Sequence, residues 1–256
     1  MKLFVWDFHG VLEKDTEYGV VSVSNKVLEA NGYSERFTFD EVKSLYGRHW
    51  WEYFSHLLPG KSHDEHMRLQ EECFIIGSTR ESILSHTKPN NYVSLVLEKI
   101  ISNGDEQILI SNCNAEALPF FLEAACVTKY FANAFPVDAH RDARRTKAQV
   151  LTEFLAGKTY DEVITIGDSP GDVALKKVAE GLGFKSTSYL YSHPNVPFRD
   201  CDADYKIHDL RDIKVKSLRQ MFSVHRNKIF DDIKKVCGKW TEMDQLREDM
   251  EKNDDY

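Results

Sequence analysis

A chain of 256 residues, 42% of them apolar and with a formal net charge of −8, suits one main domain carrying a smaller inserted or appended one, with ample material for a packed core. The acidic balance argues against nucleic acid or an anionic membrane surface as the main partner. Five scattered cysteines without a C-x-x-C pair argue against a disulfide framework or a structural zinc site, and no apolar run approaches the roughly 18 residues that span a bilayer. Met1-Lys2 leads directly into a strand without a signal-peptide pattern, so a reducing cytoplasm is the expected compartment.

Phe4-Val5-Trp6-Asp7-Phe8-His9-Gly10-Val11-Leu12 reads as a short apolar strand that ends in an aspartate and turns at a glycine. Residues 14–88 read as helical, with no strand expected. Thr38 followed by Glu41 has the spacing of a helix-capping box. Leu45, Trp50, Trp51, Tyr53, Phe54, Leu57 and Leu58 make an apolar stretch that stops at Pro59-Gly60, and Ser62–Ile76 reads as a second helix. From Pro89 the rhythm changes. Helices are expected at Tyr92–Ile101, Ala115–Cys126, Lys147–Leu155 and Asp172–Gly181. Strands are expected at Gln107–Ser111, Ala134–Asp138, Val163–Gly167, Lys185–Leu190 and Tyr205–Ile207. Short apolar runs alternating with helices imply βαβ units and a parallel sheet. The expectation is an α/β three-layer sandwich built from residues 1–13 and 89–213, with 14–88 inserted after the first strand. In the remaining 214–256, Leu218, Met221, Phe222, Ile229, Phe230, Ile233 and Val236 share one helix face, before an acidic end expected to fray.

Chemistry-bearing residues fall in a fixed order. Asp7 ends the first strand; Ser111-Asn112 end another; Lys147 opens a helix; Gly167-Asp168-Ser169-Pro170-Gly171-Asp172 follows a third strand. Carboxylates delivered to the carboxyl ends of parallel strands lie where ligands bind in such sheets, and they suit a hard divalent cation and a phosphate.

This order resembles the haloacid dehalogenase superfamily, most of whose members are magnesium-dependent phosphatases. The helical insertion directly after the first motif resembles the cap of its phosphoglycolate-phosphatase-like members. The resemblance covers roughly residues 1–212. It implies a Rossmann-like core, an aspartyl-phosphate intermediate on Asp7, and Mg2+ held by Asp7, the backbone carbonyl of His9, Asp168 and Asp172. It further implies Ser111 and Asn112 as donors to the phosphoryl oxygens, and Lys147 tying nucleophile to phosphate. The physical chemistry agrees. A carboxylate attacking phosphorus splits one hard step into two, donors matter most where charge develops, and a cation belongs where anions crowd. Asp172 also suits a helix N-cap, and Arg141, Arg144 and Arg145 rival Lys147.

His9 departs from the family pattern, in which the position two after the nucleophile is a second aspartate serving as acid and base. Imidazole titrates near neutrality and suits that role. Two alternatives stand beside it: a catalytically weak protein that binds a phosphorylated ligand or regulates, and a phosphonate or carbon–halogen hydrolase, for which Lys26, Lys43, Lys61 and Lys88 are candidate Schiff-base residues. In the insertion, Gly47-Arg48-His49-Trp50-Trp51 is placed facing the active site, with Arg48 as an anion contact and the tryptophans as either ligand contacts or local core. His63 and His66 read as exposed surface histidines, and Cys113 as a small buried residue. The expected function is hydrolysis of a small phosphorylated metabolite or nucleotide; substrate identity and oligomeric state are not legible.

Overall fold

In the computed structural model, residues 1–45, 48–138, 145–194 and 196–215 are described. Met1–Lys214 forms one compact unit; of a second, Val215–Tyr256, only Val215 falls within the described residues. The apolar stripe from Leu218 to Val236 and the acidic end therefore lie outside them.

The first strand, β1 (Lys2–Trp6), is followed by the two-residue strands β2 (Glu13–Lys14) and β3 (Lys88–Pro89). Next come β4 (Glu106–Ser111), β5 (Asn133–Pro136), β6 (Glu162–Gly167), β7 (Ser186–Tyr191) and β8 (Tyr205–Ile207). Six of these form a sheet in the order β5-β4-β1-β6-β7-β8, with every pairing parallel. Leu3, Phe4, Val5 and Trp6 are all buried, as a strand covered on both faces requires. From β1 the chain works outward to β4 and β5, then returns across to β6 and continues to β7 and β8. The order therefore reverses beside β1, and a crevice opens at the carboxyl ends of β1 and β6.

Helices α1 (Thr16–Ala30), α2 (Phe39–Leu45), α3 (Trp50–Leu57), α4 (His63–Gly77) and α5 (Arg80–His86) lie between β2 and β3. The remaining helices, α6 (Val93–Ser102), α7 (Leu118–Ala124), α8 (Lys147–Leu155) and α9 (Pro170–Gly181), belong to the alternating part. One hydrophobic cluster joins Leu3, Val5, Ile108, Ile110 and Val163 of the sheet to Val150, Leu151 and Leu155 of α8 and Leu175 and Ala179 of α9. A separate cluster lies within the insertion, where Val23, Val27 and Leu28 of α1 meet Phe54 of α3 and Leu69 and Cys73 of α4. None of the described helices is long and apolar enough to cross a membrane.

Thr38 and Glu41 act as their spacing predicts, while Ser62, expected within the second helix, is its N-cap. Thr38 Oγ1 accepts from Glu41 N at 3.3 Å while Glu41 reaches back to Thr38 N at 2.8 Å. Three expectations need correction. Glu13–Lys14 pairs antiparallel with Lys88–Pro89, so the two ends of the helical insertion are joined as a ribbon where no strand is expected. Helix α7 is shorter than 115–126: Asn114 organises a turn before it, accepting from Glu116 N and Leu118 N, and Cys126 in a left-handed conformation (φ 57°) stands just beyond its end. Helix α9 opens at Pro170 rather than Asp172, because Ser169 is its N-cap and proline suits the first helical position.

Candidate active site

The ladder between β1 and β6 runs one residue past the strand, with Asp7 N donating to Ile166 O at 2.9 Å. This sets Asp7 beside the Gly167-Asp168 end of β6. Asp7 is 8% exposed, and its Oδ1 accepts from Phe8 N at 2.8 Å. Lys147, the first residue of α8, is fixed by a capping box between Thr146 and Gln149. Its Nζ lies 2.8 Å from Asp7 Oδ1 and 2.6 Å from Asp172 Oδ1. The other oxygen of Asp172 accepts from Ser169 Oγ at 2.5 Å and Ser169 N at 3.2 Å. Asp172 is therefore the third residue of the α9 capping box and not its N-cap. Oxygens of Asp7, Asp168 and Asp172 all lie within 4.8 Å of one another.

Such crowding is visible in the acid–base chemistry. Burial, then the charge of Asp172, pushes Asp7 up to about 6 against the pull of Lys147. Burial, then the charge of Asp7, pushes Asp168 up to about 7, opposed by Arg199, whose Nη2 lies 3.3 Å from Asp168 Oδ2. Burial works against the Lys147 ammonium, but Asp7 and Asp172 outweigh it and hold its pKa above the ordinary lysine value.

Two glycines make this proximity sterically feasible. Gly10 has φ +73°, and a Cβ there would sit 2.8 Å from Asp168 Oδ2. A Cβ on Gly167 would fall 2.0 Å from Asp172 Cβ, a distance no rotamer change relieves. Gly167→Ala is expected to lower the urea midpoint by the equivalent of about 3 kcal/mol and to displace Asp172. A midpoint equal to wild type would contradict this packing.

Ser111, at the carboxyl end of β4, is fully buried, and among the described residues its hydroxyl has no nitrogen or oxygen hydrogen-bond partner, with only the Cys113 thiol beside it. A buried orphan hydroxyl at this end of the sheet suits a ligand oxygen. Asn112, next along the chain, is exposed. Cys113 is buried, and burial pushes its thiol up to about 12, consistent with an inert packing residue.

His9 is held edge-on between two phenylalanines, 5.2 Å from the Phe8 ring and 4.7 Å from that of Phe121. Its Nδ1 lies 3.6 Å from Glu13 Oε1. Glu13 is completely buried. The same oxygen accepts from Gly10 N at 3.0 Å, and Oε2 accepts from the Thr16 hydroxyl. Burial alone would raise the Glu13 carboxyl; His9, Thr16 and Gly10 together hold it below its ordinary value.

Asp7, His9, Lys147, Asp168 and Asp172 thus converge on one end of the sheet. Arg48 is exposed between α2 and α3, with its N–H on Leu45 O at 3.1 Å. Trp50 belongs to the insertion's own packing: its Nε1 donates to Ser24 Oγ at 2.8 Å and its ring meets Phe74 edge-on. Trp51 sets its ring against that of His63. His66 is not a surface histidine; it is 4% exposed and its Nε2 contacts Leu58 O at 3.0 Å. Arg145 pairs with Glu153, which removes it as a rival to Lys147. Gly47, Arg141 and Arg144 lie outside the described residues.

A sequence model of the haloacid dehalogenase-like hydrolases matches residues 4–185, which run from before Asp7 to beyond Asp172. The chain belongs to the haloacid dehalogenase-like hydrolase family. Solved structures agree on the fold. A haloacid dehalogenase-like hydrolase from Streptococcus pneumoniae aligns at 14% identity and TM-score 0.62, over 82% of this chain and 95% of that one. A family hydrolase from Deinococcus radiodurans R1, with bound phosphate and sodium, aligns at 16% identity and TM-score 0.58, over 82% and 92%. A predicted phosphoglycolate phosphatase from Haemophilus somnus aligns at 16% identity and TM-score 0.64, over 83% and 96%. Among curated proteins nothing matches significantly.

For this haloacid dehalogenase-like hydrolase, two site residues escape a reading of the sequence. Glu13 carries a legible signal, an acidic residue four after His9, but it stands at the very end of the expected core segment 1–13, against the insertion. Arg199 carries none: it lies between β7 and β8, beyond the matched segment, and only the fold brings it to Asp168.

Proposed function

We propose that this hydrolase is a magnesium-dependent phosphomonoesterase that works through an aspartyl-phosphate on Asp7. The observation that carries this reading is the bridging of Asp7 and Asp172 by one buried ammonium, Lys147, with Asp168 within 4.8 Å at the sheet's switch point. An Asp7 oxygen attacks phosphorus as the ester P–O bond breaks, and protonated His9 gives its proton to the leaving oxygen. Water then attacks phosphorus, His9 takes a water proton, and the bonding pair returns to the Asp7 carboxylate as phosphate leaves. Lys147, the Ser111 hydroxyl and Asn112 would orient and neutralise the phosphoryl oxygens.

The residues present fit a divalent cation. Among the described residues, three buried or half-buried carboxylates face two cationic side chains, Lys147 and Arg199, and the raised Asp7 and Asp168 mark the imbalance. Asp7, the His9 carbonyl and Asp168 would hold the ion, with Asp172, both of whose oxygens are engaged, holding a bound water. When bound, magnesium would polarise the phosphoryl group and balance its charge.

Residues 14–88 would form the cap over a core of 1–13 and 89–213, with Arg48 at the entrance. Tyr53 of α3 supports this placement. It is buried in the insertion yet feels the charges of both Arg199 and Arg48. A phosphonate hydrolase would need a desolvated amine. Lys26, Lys43, Lys61 and Lys88 are all exposed, and Asp15 raises Lys88 rather than lowering it.

The test is phosphate release from a broad panel of phosphomonoesters with magnesium, repeated after chelation. Release that chelation stops supports the reading; no release from any panel member refutes it. A second measurement needs no substrate. Without metal, Asp7 and Asp168 ionise near 6 and 7, above the unfolded carboxylate value of about 4. Their protons stabilise the fold at low pH, and that contribution is lost as pH rises through 6 and 7. Magnesium binds the ionised form, so its gain in Tm should grow between about pH 5 and pH 8. A gain independent of pH would argue against these ligands.

A further inference from the structure

A fully buried carboxylate, Glu13, faces the acid/base position. Glu13 is 0% exposed, opens β2 just after the turn that follows the nucleophile, and presents Oε1 to His9 Nδ1 at 3.6 Å. Three independent contacts immobilise it. Gly10 N–H holds Oε1, the Thr16 hydroxyl at the start of α1 holds Oε2, and the backbone is paired with Pro89. The imidazole is half-buried and set edge-on to Phe8 and Phe121. A carboxylate facing Nδ1 is an acceptor for Nδ1–H, which leaves the lone pair of the neutral ring on Nε2.

We infer that Glu13 is a positioning residue for His9, fixing the Nδ1–H tautomer and the ring orientation so that Nε2 alone exchanges the proton with leaving group and water. The inference rests on the phosphatase reading. In the first half-reaction Nε2–H gives its proton to the departing oxygen. In the second, Nε2 takes one proton from the attacking water, while the other ring proton stays on Nδ1, facing Glu13, throughout. Net proton count on the pair is unchanged over a turnover.

The pair also explains why histidine at this position is matched to its surroundings. An aspartate at position 9 would set a second carboxylate against a buried one. Glu13→Gln is nearly isosteric and keeps at Oε1 an acceptor for both Gly10 N–H and Nδ1–H, but it removes the negative charge that holds and supports the doubly protonated ring in the first half-reaction; a purely structural Glu13 tolerates it. A positioning Glu13 does not. Its loss is expected to lower kcat about 10- to 100-fold with KM within about twofold, with partial rescue in Glu13→Asp. In a His9→Asp background the sign inverts: adding Glu13→Gln should raise kcat, because it removes the facing charge.

A measurement on the otherwise unaltered protein stands beside these variants. With 15N-histidine labelling, followed up the pH scale until the ring nitrogens report the neutral form, the His9 ring should show the Nδ1–H tautomer, assigned by its absence in His9→Gln. An Nε2–H tautomer or a tautomeric mixture in wild type overturns the inference, as does full turnover in Glu13→Gln or a fall in kcat of equal size in the His9→Asp background. Wild type that releases no phosphate from the panel but shows the fixed tautomer overturns the phosphatase reading and Glu13's part in turnover. Active wild type with a free tautomer overturns the positioning role alone.

Discussion

Asp7→Asn is expected to lower phosphate release by at least about 1,000-fold while leaving the protein folded and, without metal, more stable than wild type. The amide is nearly isosteric and still offers an oxygen to Phe8 N, but it has no anionic oxygen with which to attack phosphorus. It also removes a charge that burial and Asp172 already disfavour, and with it the main charge opposing ionisation of Asp168. Loss of function and gain of stability from one atom's change distinguish a group held at a cost for chemistry from one that holds the fold together. A residual rate within tenfold of wild type would remove Asp7 as the nucleophile. A variant destabilised at neutral pH would show that the Asp7–Lys147 contact outweighs the crowding.

Lys147→Met reverses the stability half of that outcome. The ammonium is 11% exposed and neutralises two carboxylates at 2.8 and 2.6 Å; methionine fills the space and supplies no charge. Removing one partner of a buried ionic group leaves charge uncompensated, at a cost of about 3–5 kcal/mol. The sign of the pH dependence follows. Asp7 and Asp168 already sit at about 6 and 7 and move higher without the cation, so their protons stabilise the variant at low pH and are lost as pH rises. Urea unfolding should show a small deficit at about pH 5 and the full one at about pH 8, with kcat reduced about 100-fold or more throughout. An equal deficit at both values would point to lost packing rather than lost charge.

The strand ends of the candidate site were legible because their signals are local. Asp7 and Asp168 each close a short apolar run, and in a parallel sheet such runs terminate on one edge. Lys147 was legible as the first residue of a helix whose capping box, Thr146 to Gln149, is written in adjacent positions. What stayed hidden was non-local or two-valued. Arg199 reaches Asp168 only through the parallel placement of β7 and β8 beside β6. His66 shares its spacing with His63 but faces inward, a choice set by the Leu58 carbonyl, which no periodicity reveals. Trp50 was equally compatible with ligand and core until Ser24 and Phe74 claimed its two ends. Glu13, the last residue of the expected core segment 1–13, drew no reading of its own because a buried carboxylate needs partners to be tolerated, and its partners come from the preceding turn, the first turn of α1, and His9 itself.

The ribbon of Glu13–Lys14 against Lys88–Pro89 bears on how far the helical insertion is a separable module. Both strands that carry the chain into and out of residues 14–88 are paired there, and Thr16, the first residue of α1, holds the carboxylate that faces His9. Grafting another member's helices between these strands would preserve the fold's outline while unfastening that carboxylate. In this protein the segment that would select the substrate lends a hydroxyl to the carboxylate that would hold the proton carrier in place, so neither can be exchanged without retuning the other.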